Sequence, residues 1–220
     1  MKNERSRRQL FCILTGIGGI LGVVMLIISF NINAGPPPGA TVDQLITFGR
    51  QNYNSILWGA WLQAVAPVFI ILFAFALVHL ADGAKTLAGW MTFFGAVSLM
   101  IVSLIEITFY IAVMFKSPPD GILISMNIIY AVQHLYFIVA APTLFISLGT
   151  VLLNSSVLPR IFGYLAVLLG LAFAGLGVAF LLTLVLPVWV TACAGIQAIW
   201  WLAASISLIK RSGKIADLSS

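Results

Sequence analysis

The stretch from Ile161 to Ile209, IFGYLAVLLGLAFAGLGVAFLLTLVLPVWVTACAGIQAIWWLAASISLI, contains no charged side chain. One membrane-spanning helix needs about 20 apolar residues, because the hydrocarbon core of a bilayer is about 30 Å thick. The stretch is about twice that length, so it must cross the membrane, turn and cross back. Pro187 beside Trp189 indicates the turn, since proline interrupts a helix and tryptophan favours the membrane interface. The stretch therefore predicts two transmembrane helices, over 161–182 and 187–209.

The rest of the chain is equally apolar. Hydrophobic residues make up 61% of its 220 residues, charged residues only 8%, and the mean hydropathy is +1.11. Soluble domains contain about 45–50% apolar and about 25% charged residues, so this composition indicates a membrane protein. Further apolar runs predict helices over about 10–30, 56–80, 86–115 and 122–153. We therefore predict an all-α polytopic membrane protein, with residues 1–220 forming one domain of six transmembrane helices.

Basic residues lie at the ends of the apolar runs and predict the orientation. If the N-terminus is cytoplasmic, nine of the eleven basic residues lie on the inner side and only Arg50 and Lys116 lie outside. By the positive-inside rule, both termini are predicted to be cytoplasmic. The net charge of +5 then reflects topology, so we expect membrane lipids as partners and no nucleic acid. The inner basic residues are Lys2, Arg5, Arg7, Arg8, Lys85, Arg160, Lys210, Arg211 and Lys214.

Two features interrupt the simple pattern of apolar helices. The connection 31–55 contains Gly35-Pro36-Pro37-Pro38-Gly39, which cannot continue a helix, followed by Thr41-Val-Asp-Gln44, which is typical of a capping box. This pattern predicts a short amphipathic helix on the outer membrane surface. The helix over 122–153 is longer than one perpendicular crossing needs and contains Pro142, so we expect it to tilt or bend.

Motifs for metals, cofactors and catalysis are lacking in the sequence. Cys12 and Cys193 lie within apolar runs without the spacing of a zinc site, so no metal is predicted. A haem shared by His79 and His134 is disfavoured, because their predicted depths differ by more than about 15 Å. The sequence has no nucleotide-binding or nucleophile motif either, so we expect no cofactor and no catalytic residues, and the pattern favours a protein that is not an enzyme.

Polar residues inside the predicted helices concentrate at one depth. Glu106 is the only acidic residue inside a predicted span and lies about 15 Å below the outer end of its helix. Gln63, Gln133, His134 and Gln197 lie about 10–18 Å deep on three other helices. Asn127, Tyr130 and His134 recur at helical spacing, which favours a polar stripe facing the bundle interior. The predicted midplane site therefore comprises Glu106, Gln63, Gln133, His134, Gln197, Asn127 and Tyr130.

Two interpretations of these polar residues are open. They could line a narrow polar cavity that opens outward, because an acid inside a membrane span indicates a functional site. They could instead form interhelical hydrogen bonds that set the helix register, with Glu106 neutral.

Small residues at four-residue spacing indicate close helix packing: Gly18 and Gly22 on one helix, and Ala166, Gly170 and Ala174 on another.

Four segments resemble a family of bacterial six-helix membrane proteins that is grouped as a domain of unknown function. They are Ile56-Leu-Trp-Gly-Ala-Trp-Leu-Gln63, the run from Leu87-Ala-Gly-Trp90 to Ser103-Leu-Ile-Glu106, Ala131-Val-Gln133-His134, and Leu158-Pro159-Arg160-Ile-Phe-Gly163-Tyr164. The resemblance covers most of the chain through short motifs. It implies a multi-pass protein of the bacterial inner membrane and supplies no catalytic residues.

Three functions follow from these observations, in decreasing order of support. The first is binding or passage of a small solute, a cation or a proton at the midplane site around Glu106. The second is a non-enzymatic assembly or accessory subunit, which would pack through its small-residue faces against a membrane protein partner or a second copy. The third is a lipid-acting enzyme using Asp43 and Arg50, which more readily lie in solvent.

Overall fold

The computed structural model describes residues 2–33, 35–36, 39–114, 118–182 and 187–217. Every regular element in these ranges is helical. Short turns connect most of the helices, and a 3-10 turn, Gly83–Lys85, precedes the fourth. The helices are α1 (Lys2–Ile32), α2 (Val42–Gln51), α3 (Tyr53–Leu80), α4 (Leu87–Met114), α5 (Pro119–Leu135), α6 (Ala141–Leu153), α7 (Arg160–Leu181) and α8 (Pro187–Asp217).

Among the described residues, six helical segments are long and apolar enough to cross a membrane. They are α3, α4, α7, nearly all of α1 and α8, and the segment Gly121–Leu153, which includes most of α5 and all of α6. The prediction of an all-helical chain with six long apolar helices is therefore confirmed. The predicted turn at 183–186 lies outside the described residues, as do residues 115–117. The rest of the connection predicted at 116–121 is mostly helical, because α5 begins at Pro119.

The first and last helices are longer than the apolar pattern predicts. The predicted bounds, 10–30 and 187–209, miss a polar extension at each terminus of the chain. Arg5 in the α1 extension forms an ion pair with Asp217 in the α8 extension, with 2.7 Å between Nε and Oδ1. Ile215, near the end of α8, is only 2% exposed. Hydropathy indicates where the apolar segment ends, whereas contacts between the two extensions let the helices continue past that point.

A π-helical turn lies at the bend predicted near Pro142. The helix α5 begins at Pro119, because proline is well tolerated in a first turn where its missing N–H has no helical partner. A π-helical segment, Tyr136–Ala140, then separates α5 from α6, and Pro142 follows in the first turn of α6. Proline lacks an N–H and clashes with the carbonyl four residues earlier, so a wider turn accommodates it.

Glycines of α1 allow this helix to pack closely between α3 and α8. A Cβ at Gly22 would lie 3.0 Å from the Ala66 carbonyl oxygen of α3. A Cβ at Gly19 would lie 2.3 Å from Ser205 Oγ of α8. Gly18 has more space, since a Cβ there would meet only Phe69, at 3.8 Å. The glycine-rich face of α1 is thus used largely within the chain.

Small residues of α7 pack against α6 in the same way. Ala166 is fully buried, and a Cβ at Gly170 would lie 2.9 Å from the Ile146 backbone nitrogen. Ala174 is half-buried. Close approach of two helix backbones increases van der Waals contact, which drives helix association where lipid is as apolar as the side chains.

The short helix α2 follows the predicted capping box. Thr41 N–H donates to Gln44 Oε1 at 2.8 Å, and Gln44 N–H donates to Thr41 Oγ1 at 3.4 Å. This capping box is confirmed. Before it, Gly35 and Gly39 have φ angles of +75° and +72°, which glycine adopts at little cost. The helix α2 contains no buried residue.

We expect Thr41→Ala to destabilise α2 by about 1 kcal/mol, because it removes the side-chain acceptor for a backbone N–H in the first turn. Hydrogen exchange of the amides of α2 should accelerate on the order of five-fold, while the long helices keep their protection. Thr47→Ala is the matched control, since its hydroxyl donates to the Asp43 carbonyl inside the helix and caps nothing. Equal acceleration in both variants would contradict the capping role.

Candidate functional site

The Glu106 carboxyl group joins three helices. Gln63 of α3 donates from Nε2 to Glu106 Oε2 at 2.9 Å. Gln133 of α5 donates from Nε2 to Glu106 Oε1 at 2.8 Å. Each carboxyl oxygen therefore has its own amide partner from a different neighbouring helix. We call Gln63, Glu106 and Gln133 the Glu106 cluster.

A second polar contact of α4 supports the cluster. Ser103 lies one turn before Glu106 on α4, and its hydroxyl donates to the Gln63 backbone oxygen at 2.9 Å. Ser103 is 6% exposed and Gln63 is 8% exposed, whereas Glu106 is half-buried. Side chain and backbone of Gln63 are thus both held by α4. Sequence reasoning missed Ser103, although its spacing of three residues from Glu106 places the two side chains on one face of the helix.

The cluster contains an acid without a compensating positive charge. Within the described ranges, the one recorded ion pair joins Arg5 and Asp217, and the partners of Glu106 are neutral amides. An ionised carboxylate inside a membrane is costly when no cation accompanies it. Neutralisation by a proton removes most of that cost.

Glutamine side chains can support both charge states of Glu106. An amide carries two N–H donors and one carbonyl acceptor. With Glu106 ionised, both glutamines donate a hydrogen bond to the carboxylate, which is the arrangement observed. With Glu106 protonated, rotation of one amide presents its carbonyl oxygen to the new O–H group. The cluster can therefore gain or lose a proton without leaving a buried polar group unpaired.

Gln197 does not belong to the Glu106 cluster, although it was predicted to share its depth and site. Its Oε1 accepts a hydrogen bond from the hydroxyl of Tyr136, which lies in the π-helical segment. The Tyr136 ring also packs edge-on against Phe173 of α7, with centroids 5.5 Å apart. Similar depth does not ensure contact, because the π-helical turn directs Tyr136 to α8 while Gln133 turns to α4.

The predicted polar stripe of α5 does not face the bundle interior as a whole. Asn127 and Tyr130 are both exposed, and Tyr130 keeps 53% of its surface. His134 is half-buried, its Nδ1 bonds the Tyr130 backbone oxygen, and its ring packs edge-on against Phe180 with centroids 5.0 Å apart. The helix α5 packs mainly against α4, so the face carrying Gln133 is inside and the opposite face is not.

The outward-opening cavity predicted around Glu106 stays a prediction. A pocket of about 600 Å³ lies between the turn that follows α3 and the turn that follows α6. An apolar groove of about 250 Å³ lies between α3 and α4, and Val68 and Met100 are among its lining residues. Neither of these two pockets is lined by a member of the Glu106 cluster. In the part of the chain that is described, no group of three His, Cys, Asp or Glu side chains could hold a metal ion.

Comparison with known proteins adds no relative. No protein-family model matches the chain, and no curated protein or solved structure is significantly similar to it. The resemblance to a bacterial six-helix family therefore stays a prediction.

Proposed function

We propose that this chain is a multi-pass protein of the bacterial inner membrane that reversibly binds a proton at Glu106. The observation that carries the proposal is the carboxyl group held by two neutral amides, at 2.8 and 2.9 Å, without a cationic partner. A permanently charged site would need a positive counter-charge. Among the small solute, cation and proton of the sequence hypothesis, the proton fits best, because a metal ion prefers more oxygen ligands than one carboxylate supplies.

The proposed orientation places this site nearer the outer surface. The nine-to-two distribution of basic residues supports cytoplasmic termini, so the C-terminal end of α4 faces outward, with α2 on the outer membrane surface. Glu106 lies eight residues before Met114, the last residue of α4, or about 12 Å along the axis. The first residue of α4, Leu87, lies about 29 Å away in the other direction. We therefore propose that the proton exchanges with the outer side.

The two other candidate functions have less support. An accessory subunit was predicted to use the small-residue faces of α1 and α7, but Gly22 and Gly170 lie against the chain's own α3 and α6. A lipid-acting enzyme was predicted to use Asp43 and Arg50. These residues occupy the first and last turns of α2, where both side chains are exposed, and neither borders the two described pockets.

Infrared spectroscopy of the protein in lipid nanodiscs tests the proposal, because protonated carboxyl groups absorb apart from the amide bands. Glu106 is the one acid among the six that lies within a predicted apolar run, whereas Glu4 and Asp217 lie in the polar extensions of α1 and α8. Its signal is therefore separable from those of the solvated acids. We expect a protonated-carboxyl band whose amplitude changes on pH titration and whose frequency shifts in D2O. Glu106→Gln should abolish this band and keep the fold, since glutamine can still hydrogen-bond with both neighbouring amides.

Asp43→Asn is the matched control, because it removes a carboxyl from the α2 surface and should leave the band unchanged. A band that neither titrates nor exchanges in D2O would show a permanently neutral, structural Glu106 and overturn the proposal. Displacement of the proton by sodium or potassium ions at constant pH would also overturn it, in favour of a cation site.

A further inference from the structure

A polar pocket lies at the opposite end of the bundle from α2, where both chain termini meet. It has a volume of about 600 Å³ and lies between the turn after α3 and the segment that joins α6 to α7. Asp82, Asn154, Ser155, Ser156 and Arg160 supply its polar lining. None of the predicted site residues borders it, and the proton site proposed above does not depend on it.

The pocket contains one negative and one positive side chain that do not neutralise each other. Asp82 and Arg160 are both exposed, and no ion pair between them is recorded among the described residues. A simple anion would be attracted by Arg160 and repelled by Asp82, and a simple cation would experience the reverse. A zwitterion, with an ammonium group for Asp82 and an anionic group for Arg160, matches both charges.

The backbone at Asp82 ends α3 at the wall of the pocket. Asp82 has φ +53° and ψ +22°, and it is the one non-glycine residue with a positive φ in the described ranges. Its side chain makes no capping hydrogen bond to the turn Gly83–Lys85 that follows. Aspartate tolerates the left-handed region better than most residues, although this conformation still has an energetic cost. This left-handed residue ends α3, and its N–H donates to the His79 oxygen at 3.1 Å.

Both walls of the pocket are held in place by the bundle. Arg211 of α8 donates from Nε to the Val157 oxygen at 3.1 Å and from Nη2 to the Ser156 oxygen at 3.0 Å. Val157 is 4% exposed, so this connection is packed as well as hydrogen-bonded. On the other side Gly83 is buried, and a Cβ there would lie 2.8 Å from a side-chain carbon of Val151. The backbone on both sides of the pocket is therefore fixed by the bundle, which lowers the cost of ordering it on binding.

The depth of the pocket indicates the source of its ligand. The apolar spans end at Leu80 and Leu153, and the next begins at Arg160. Residues immediately beyond the ends of apolar spans lie at the level of lipid headgroups. The guanidinium group matches phosphate geometry, and a carboxylate accepts hydrogen bonds from a primary ammonium group.

We propose that this pocket binds a zwitterion carrying a primary ammonium and a phosphate group, such as the headgroup of an ethanolamine phospholipid. Asp82 accepts hydrogen bonds from the ammonium group, and Arg160 donates to the phosphate. The hydroxyl and amide groups of Ser156 and Asn154 border the same space and complete a polar surface around the headgroup.

Lipid retention measured by native mass spectrometry tests the proposal on the full chain. The protein is released from nanodiscs that contain equal amounts of ethanolamine, glycerol and choline phospholipids. We expect retention of the ethanolamine lipid about three- to ten-fold above the other two, the scale of one charge-assisted hydrogen bond at an exposed site. Asp82→Asn should remove the preference over the glycerol lipid, and Arg160→Gln should weaken retention of both. Asparagine tolerates the same backbone conformation as Asp82, so the first variant should fold.

Lys85→Gln is the matched control, since it removes an exposed charge from the same turn outside the pocket lining. It should keep the lipid preference. Soluble phosphoethanolamine, added to protein in lipid-free detergent, distinguishes a free zwitterion from a lipid headgroup as the ligand. Thermal stabilisation that depends on Asp82 and Arg160 would assign the site to a free zwitterion, and its absence together with lipid retention would assign it to the lipid. Equal retention of ethanolamine and glycerol lipids, or a preference that survives Asp82→Asn, would overturn the proposal.

Discussion

Gly95→Ala is expected to destabilise the bundle by about 1–3 kcal/mol, the range for inserting an atom into a close-packed contact. A Cβ at Gly95 would lie 2.5 Å from the backbone nitrogen and 2.7 Å from the Cα of Leu144. Both atoms belong to the backbone of α6, so a side-chain rotation cannot relieve the overlap. Either α4 or α6 must shift as a whole. Thermal unfolding of the purified protein in detergent should show a clearly lowered midpoint.

Gly175→Ala is the matched control for this prediction. Gly175 is an exposed glycine within α7, and a Cβ there would meet nothing within 4 Å. Alanine should be neutral or stabilising by up to about 1 kcal/mol, because it has the higher helix propensity. Adding Leu144→Ala to Gly95→Ala should not restore stability, since the overlap is with the Leu144 backbone. Rescue by that second substitution would show that the contact of α4 with α6 differs from the one described.

Glu106→Leu is expected to cost about 1–3 kcal/mol, whereas Glu106→Gln should cost much less. Leucine removes both hydrogen bonds and leaves the amides of Gln63 and Gln133 without their partner. Interhelical hydrogen bonds in membranes contribute about 0.6 kcal/mol on average and up to about 1.7, and an orphaned polar group adds to the loss. A glutamine at 106 keeps both a donor and an acceptor between the neighbouring amides. Reversible unfolding in mixed micelles would measure both changes.

A fully apolar cluster separates stability from function. The triple variant Gln63→Leu, Glu106→Leu, Gln133→Leu should recover most of the stability lost in Glu106→Leu, because no polar group is left unpaired. The hydroxyl of Ser103 keeps its acceptor, since that acceptor is the backbone oxygen of residue 63. The triple variant should nevertheless lack the titrating infrared band. A Glu106→Leu variant as stable as the original chain would show that the three side chains do not form the described cluster.

Several features could be predicted from the sequence because they depend on neighbouring residues alone. The uncharged stretch 161–209 requires two apolar helices independently of its surroundings. Two helices long enough to cross a membrane occupy its two halves. The capping box of Thr41 and Gln44 is local for the same reason. Counting residues along the helices predicts similar membrane depths for Glu106 and Gln63, and the two side chains are hydrogen-bonded to each other.

Other features depend on how each helix is rotated in the bundle, and the sequence does not contain that information in a local form. Gln133 and Gln197 were predicted at similar depths, yet Gln133 bonds Glu106 whereas Gln197 bonds Tyr136. The polar extensions of α1 and α8 are helical beyond the apolar pattern, where Arg5 and Asp217 pair across them. In the sequence, Arg211 is one more basic residue at a helix end. In the structure it donates a hydrogen bond to the connection between α6 and α7, 55 residues away.

The physical reason is the difference between solvation and packing. Hydropathy, capping and charge bias act on each segment separately, so the sequence alone determined the number of long apolar helices and the presence of one acid within an apolar run. Which amides meet that acid, and which charged side chains border the polar pocket, depends on contacts between distant segments. Those contacts are set only when the glycine-mediated approaches of α1, α4 and α7 fix the distances and rotations of all the helices together.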